Sequence, residues 1–595
     1  MKPHATIESV PWAYATEGAM FLVFRPDDVL PPAHPCFGKV LKIAKVDLVP
    51  QRLRYDHLHC SELETVTAAC ESPIEVKSEE INFARTQLRY AQDLVTAAFG
   101  DASLLPSSDY IEVRRKFALD LAVRAFAARK KDKLHVWDDP AFLENQAQQY
   151  GDDDMIGCIL ESDLLLACHR HTGSAPDAQA EAEAEAGAEV GLIAFEIKPK
   201  WGFLPDPELC NALSLEGSEF DAHSRLSSFA CGMTGCTCTS DFTGSELKTD
   251  ESTAKRNSHS SKTIRSQVCR FCMHQVYKRK KNETKDGTDG SNSPLDRRWF
   301  CPLDLYSSEP TRLAQAVEGL FASPGNNLQV TYSKIASDGR LIITPISGED
   351  SSELPHYNLF SLLLNVLHDP KLRATLATIK ELQEAGDPLT PIGASAVSLE
   401  LRRRIEFLPT CDCQHCSTDE IRRILSLSEA HSGVLSRPGG EVWEHSDVVD
   451  SIQKLWLQST GQSSGTDPSC ADRKLRDAAL TKTQDIVTPA VENVHSFTSL
   501  IREQLQHVPT CALIRMIRGF LISATLKDLS LFALVPIQGI HSGGTSNLDS
   551  NVVLPVRVYL IDIQQKAASK LESYAKLDEN IVATYKSFIG SIYPQ

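Results

Sequence analysis

The sequence predicts a mixed α/β (α+β) protein that carries low-complexity insertions. Three observations predict it. Short apolar runs beside glycines mark strands early in the chain, and two more follow late. Apolar residues at helical spacing dominate the second half. Between them lie polar stretches with too few apolar residues to offset the entropy of ordering. The chain has 595 residues, 42% of them hydrophobic and 23% charged, so it can bury a core and is too long for one ordinary domain.

Taken in order, Phe21-Leu22-Val23-Phe24 and Val40-Leu41-Lys42-Ile43 read as strands. Tyr110, Val113, Phe117, Leu121 and Phe126 share roughly one helical face, so 108–131 reads as a helix. Ile156–Leu166 and Gly191–Ile197 read as buried strands, with the acidic insertion 173–190 between them. Stretches near 239–266, 278–296, 458–472 and 538–551 read as loops or insertions. Helices are expected near 310–322, 357–369, 371–384, 395–407, 418–430, 443–457, 508–524 and 566–589. Leu529–Pro536 and Val556–Ile563 are the late strands.

Lys plus Arg is 61 and Asp plus Glu is 78, a net charge of −17, which argues against a general nucleic-acid binder. The N-terminus lacks the apolar core of a signal peptide, and no run has the roughly 18 apolar residues of a membrane span. The expectation is a soluble intracellular chain, nuclear or cytoplasmic. Lys278–Lys281 reads as either a nuclear signal or a solvated loop. The 17 cysteines are then expected to be thiols, with one metal site.

The most informative segment is Phe195-Glu-Ile-Lys-Pro-Lys-Trp-Gly-Phe-Leu-Pro205. A buried strand delivers Glu196, and period-two alternation puts Lys198 and Lys200 on its side if the strand stays regular. Two ammonium groups beside a carboxylate suit polyanion binding; a solvated surface strand is the equal alternative. In Cys269-Arg-Phe-Cys-Met-His-Gln-Val-Tyr-Lys278, His274 and Lys278 share a helical face. Cys269 and Cys272 form a CxxC with no second pair close by, so a binding face is the stronger reading there. Asp528 precedes one late strand and Asp562 ends the other, with Lys566 four residues on. Carboxylates at strand ends suit Mg²⁺ or a proton-accepting role, although either aspartate alone is more often a cap. Glu17-Gly18-Ala19 reads as a phosphate-covering turn. The chain contains no Walker motif, no kinase HRD or DFG triplet and no GxGxxG. Cys411-Asp-Cys-Gln-His-Cys416 reads as part of a structural zinc site, against free thiols on a loop.

These motifs resemble the inositol-pentakisphosphate 2-kinase family. EIKPKWGFLP at 196–205 is the most specific match. CRFCMHQVYK at 269–278, CPLDLYS at 301–307, Gly325-Asn-Asn-Leu328, LKDLSLFALVPI and YLIDIQQK follow in order, behind WAYATEG and GKVLKI near the start. The resemblance implies a two-lobed inositol phosphate kinase fold, distantly protein-kinase-like. Its N-terminal lobe would span 1–172 and its C-terminal lobe 191–595.

The implied activity is transfer of a phosphate from ATP, with Mg²⁺, to the 2-hydroxyl of inositol 1,3,4,5,6-pentakisphosphate, giving the hexakisphosphate (phytate). The rival is a non-catalytic inositol-phosphate-binding pseudokinase. By resemblance Asp528 is the catalytic base and Asp562 the metal ligand. Lys198, Lys200, His274, Lys278, Asn326, Asn327, Lys566, Lys570 and Tyr574 meet substrate. Gly18, Lys42, Glu161, Asp163 and Glu196 meet nucleotide. Cys413, Cys416, His431 and His169 are the implied zinc ligands. The partner is a small molecule, with no nucleic acid and no membrane, and the chain is expected to be a monomer. The sequence departs from the family at Phe21, where asparagine is usual, at Gln329 and Lys570 in place of arginines, and at Gln564-Gln565 in place of an acidic-Pro pair.

Overall fold

A computed structural model describes residues 3–17, 21–26, 30–48 without 32, 83–128, 143–166 with breaks at 146–147, 149 and 152–153, 191–205, 261–286, 300–335, 341–346, 358–387, 390–407, 510–537, 556–566 and 568–592. It is a mixed helix and sheet structure built on two five-stranded antiparallel sheets.

The first sheet contains β1 (Trp12–Glu17), β2 (Phe21–Pro26), β3 (Lys39–Ala44), β4 (Ser108–Arg114) and β5 (Met155–Ser162), in the order β1-β2-β3-β5-β4. Its inward residues, among them Leu22, Phe24, Leu41, Ile43 and Cys158, form a core with helix α2 (Arg115–Ala128). The first 7 residues of the helix expected over 108–131 are thus strand, and the helix begins at Arg115. Residues 108–114 pair along β5, from Ser108 opposite Glu161 to Arg114 opposite Met155. Their apolar residues also fit a pleated edge, and pairing with β5 overrides the helical spacing.

The second sheet has the order β10-β9-β6-β7-β8. Its strands are β6 (Gly191–Ile197), β7 (Leu328–Ile335), β8 (Leu341–Ile346), β9 (Ser530–Ile537) and β10 (Arg557–Ile561). β6 lies at the centre, paired on both sides, and its alternate residues enter cores on both faces, Ile193 and Phe195 one and Leu192 and Ala194 the other, which is why GLIAF reads as an apolar run. The largest core forms behind it. Helix α1 (Phe83–Phe99) contributes to that core through Tyr90, Leu94 and Val95, and touches the first sheet through Phe83 and Ala84. It therefore ties the two sheets together.

Besides the short helices Pro3–Glu8 and Pro302–Leu305, the remaining described α-helices are α3 (Ser261–Gln267), α4 (Arg270–Asp286), α5 (Pro310–Ala322), α6 (Leu359–Leu367), α7 (Pro370–Gly386), α8 (Thr390–Phe407), α9 (Thr510–Asp528) and α10 (Leu571–Ile592). Two polar stretches expected to be loops are helical over part of their length. Residues 261–266 lie in α3, where Ile264 and Val268 pack on α10, and 278–286 extend α4 beyond its apolar face. Helices α7 and α9 approach so closely that a Cβ on Gly386 would stand 2.5 Å from the carbonyl oxygen of Gly519. Only glycine permits that approach, which brings the end of α7 against the middle of α9.

Expected helices at 418–430 and 443–457, and insertions at 173–190, 458–472 and 538–551, lie outside the described residues. Among the described residues, no helix is long and apolar enough to cross a membrane.

Candidate active site

Four pieces of backbone converge at one end of the second sheet: the segment after β6, the junction of α9 with β9, the segment after β10, and the face of α4. Asp528 is the last residue of α9, and its carboxylate lies between two ammonium groups. Lys566 Nζ is 2.7 Å from Oδ2 and Lys200 Nζ is 3.8 Å from Oδ1. Burial works to raise the Asp528 carboxyl, but Lys566, Lys200 and Lys198 outweigh it and hold its pKa below the usual value. Burial in turn pushes Lys200 down, and Lys198, Lys278 and Lys566 add to that against Asp528.

Regular alternation from Glu196 through Lys200 does not hold. β6 ends at Ile197, and Lys200 takes a left-handed φ of 59°. Lys198 stays on the Glu196 side and reaches Asp562 Oδ2 at 3.5 Å, while Lys200 swings to Asp528. Glu196 and Asp562 are joined through Ser530, which sequence reasoning missed. Its hydroxyl donates to Glu196 Oε1 at 2.7 Å and lies 3.3 Å from Asp562 Oδ2. Burial raises the Glu196 pKa, opposed by the Ser530 bond and aided by Asp562. Asp562 follows β10 in a left-handed turn, φ 60°, which lifts its carboxylate off the ladder toward Ser530.

His274 and Lys278 lie one turn apart on α4; Lys278 acts on Lys200, and Lys200 acts on His274. Burial, then Lys278, Arg270 and Lys200, push the His274 pKa down to about 3. The unfolded chain protonates this ring near the ordinary value of 6.5, so between about 6.5 and about 3 it binds a proton that the folded chain refuses. Stability is lost as pH falls through that window. His274→Gln removes the term, so the drop in Tm between neutral pH and about pH 5 is expected to be smaller than for the unaltered chain. Calorimetry at the two pH values checks this; an equal drop would show that His274 titrates normally.

Asn327 is placed next to Lys198, whose backbone N–H donates to the Asn327 carbonyl at 2.9 Å; Asn326 is exposed beside it. Tyr574 on α10 is close enough to Asp528 that burial first, and then that charge, push its hydroxyl up to about 12. Lys570 lies exposed on the turn before α10.

On the first sheet, Lys42 pairs with Glu161, and Glu161 Oε2 accepts from the Ser108 hydroxyl at 3.2 Å. Asp163 is buried, lies 2.5 Å from Arg25 Nε, and accepts the Leu165 amide at 3.1 Å. Both acids thus have protein partners that the sequence did not reveal. Phe21 packs its ring on Phe83 at 6.1 Å and helps seat α1. After Asp562, the Gln564 carbonyl accepts from Thr525 at 3.0 Å and the Gln565 amide donates to Gln87 at 2.9 Å. Gly18, His169, Cys413, Cys416 and His431 lie outside the described residues.

The oxygen donors of Asp562, Glu196 and Ser530 suit a hard divalent cation such as Mg²⁺. For a softer ion the described residues offer Cys269, Cys272 and Cys301, with thiols within 4.8 Å of one another. The third cysteine comes from a distant segment that spacing could not supply. All three are buried in the largest apolar core, and no fourth donor joins them among the described residues. A zinc ion with three thiolates would leave a net negative charge there, at high cost, so the group fits packed core thiols better.

Lysines gathered round one aspartate, beside a second carboxylate pair, form a charged cluster on an α+β protein. A family model described as inositol-pentakisphosphate 2-kinase matches residues 14–580, and the chain belongs to that family. An inositol-pentakisphosphate 2-kinase of Danio rerio is 36% identical over 100 residues, 17% of each chain. One from Oryza sativa subsp. indica is 24% identical over 349 residues, 57% of this chain and 58% of the relative. One from Arabidopsis thaliana is 23% identical over 330 residues, 54% of each. The chain thus spans little more than half the length of its longer matches.

Proposed function

We propose that the chain is an ATP-dependent kinase that phosphorylates the 2-hydroxyl of inositol 1,3,4,5,6-pentakisphosphate to give inositol hexakisphosphate. The observation that carries this reading is Asp528 held between Lys200 and Lys566, with Asp562 on the adjoining strand end. In this reading the two sheets are the two lobes of a kinase-like fold. The first presents Lys42 to the nucleotide phosphates, with Glu161 orienting it. The second holds the acceptor.

Lys198, Lys200, Lys278 and Lys566 bind and orient a ring crowded with phosphates, each acting as a point charge. Asp528 accepts the proton of the attacking hydroxyl. That oxygen bonds to the γ-phosphorus, the bond to the bridging oxygen breaks, and ADP leaves with the electron pair. A magnesium ion, which kinases use with ATP, would be held by Asp562 with Glu196 near it, and supplies charge neutralisation on the nucleotide phosphates.

One observation favours a second reading, a binding protein without turnover. Gln564 and Gln565 bring no further carboxylate to Asp562 and are tied to Thr525 and Gln87. Anion-exchange separation of products from the chain with Mg-ATP and the pentakisphosphate decides between them. A hexakisphosphate peak supports the kinase; thermal stabilisation by the pentakisphosphate with no peak supports the binding protein.

A further inference from the structure

Gln383 lies on the last turn of α7, fully buried and outside the lysine–aspartate cluster. Its carboxamide uses both donors and its acceptor on three backbone groups. Nε2 donates to the Lys200 carbonyl at 2.8 Å and to the Leu526 carbonyl at 3.1 Å, and Oε1 accepts the Gly202 amide at 2.9 Å. Its own carbonyl accepts from the Ser523 hydroxyl at 2.8 Å. One side chain therefore bonds both the backbone of Lys200 and the turn of α9 that leads to Asp528. It holds Lys200 and Gly202 on one side, and on the other the turn of α9 that ends two residues later at Asp528.

The backbone at Lys200 needs such a grip. A left-handed φ on a residue with a Cβ is strained and persists only where surroundings over-determine it. Gly202 is fixed as well, since a Cβ there would stand 2.7 Å from the Tyr306 ring. The segment is thus bent at Lys200, pressed on Tyr306 at Gly202, and bonded at both residues by one amide.

We infer that Gln383 is a positioning residue that sets the distance between Lys200 and Asp528, and so the alignment of the acceptor hydroxyl with its base. The inference rests on the proposed kinase reading. No other residue type matches its bonding: glutamate as a carboxylate has no donor and would face two carbonyls with its charge, and methionine has the length with no donor and only a weak sulfur acceptor. An ångström of drift at a reacting centre is worth up to about 10²-fold in rate.

The experiment compares Gln383→Met with Thr375→Val in the full chain. Thr375 is also buried on α7, but its hydroxyl donates only along its own helix, to the Lys371 carbonyl at 2.9 Å. Turnover is measured per folded molecule, at a temperature where both variants stay folded. Gln383→Met is expected to lower kcat about 10- to 100-fold and to raise the KM for the pentakisphosphate, with the KM for ATP unchanged. Thr375→Val is expected to lower Tm alone. Equal loss of Tm in both variants with unaltered kcat and KM in both overturns the inference. Should the unaltered chain bind the pentakisphosphate without turning it over, the kinase reading fails by itself. Calorimetric affinity then decides for Gln383: about tenfold weakening in Gln383→Met supports the grip on Lys200, and equal affinity overturns it. A chain that neither binds nor turns over the pentakisphosphate overturns both.

Discussion

Asp528→Asn is expected to lower hexakisphosphate formation by about 10²- to 10⁴-fold while leaving pentakisphosphate binding as tight as before, or tighter. The split follows from the geometry. The substitution keeps shape and removes only the charge and the ability to accept a proton. Lys566 and Lys200, which spend their charge on Asp528 without ligand, are then free for phosphate. A carboxylate ion-paired at 2.7 Å is a weak base, so substrate phosphates that draw the lysines away also restore its basicity. The lowered pKa keeps Asp528 ionised through the neutral range, so its own titration is expected to limit kcat/KM only on the acid side of the ordinary carboxylate value. Quantified product and calorimetric binding on the same preparation check the split. Equal loss of binding and turnover would remove Asp528 from the role of base and make it a structural partner of the lysines.

Strands carried by apolar runs were legible in the sequence because burial on both faces leaves its mark residue by residue, as in β6 and β9, and the helix over 310–322 was legible from apolar residues at helical spacing on its buried face. The strand over 108–114 was not, since the sheet partner that makes Tyr110 and Val113 a pleat rather than a helical face lies in β5, far along the chain. At the site, Lys198, Lys200, Asp528 and Lys566 do come together. Motif order pointed to them, and the structure adds who holds whom. Ser530, Gln383 and Thr525 were invisible because each is an unremarkable polar residue whose meaning is its partner, 334 residues away for Ser530 and Glu196. The left-handed turns at Lys200 and Asp562 were equally hidden. Neither position carries the glycine that announces such a turn, so tertiary bonds must hold them.

Beneath the site lies a buried pair on which its geometry stands. Lys527 precedes Asp528 and points the other way, into the protein, where it pairs with Asp387 just past the end of α7; the two side chains are 4% and 3% exposed. The ammonium lies over three rings, 4.7 Å from Trp201, 5.1 Å from Phe203 and 5.7 Å from Phe520. Lys527→Met leaves the Asp387 charge buried without its partner, which costs about 3–5 kcal/mol, a large share of a typical folding free energy. Calorimetry is expected to show Tm falling by about 2–4 °C. Joining Asp387→Leu to Lys527→Met removes both charges, and the double variant is expected to regain most of that loss, because attraction within a buried pair little more than repays its desolvation. Single and double variants with the same Tm would mean that water reaches Asp387. The pair joins the ends of α7 and α9, the same two helix ends that Gln383 joins by hydrogen bonds. Its loss is read first in Tm, whereas loss of the Gln383 amide is read in kcat at a temperature where the fold survives, so the two measurements separate what holds the helices together from what aims Lys200 at Asp528.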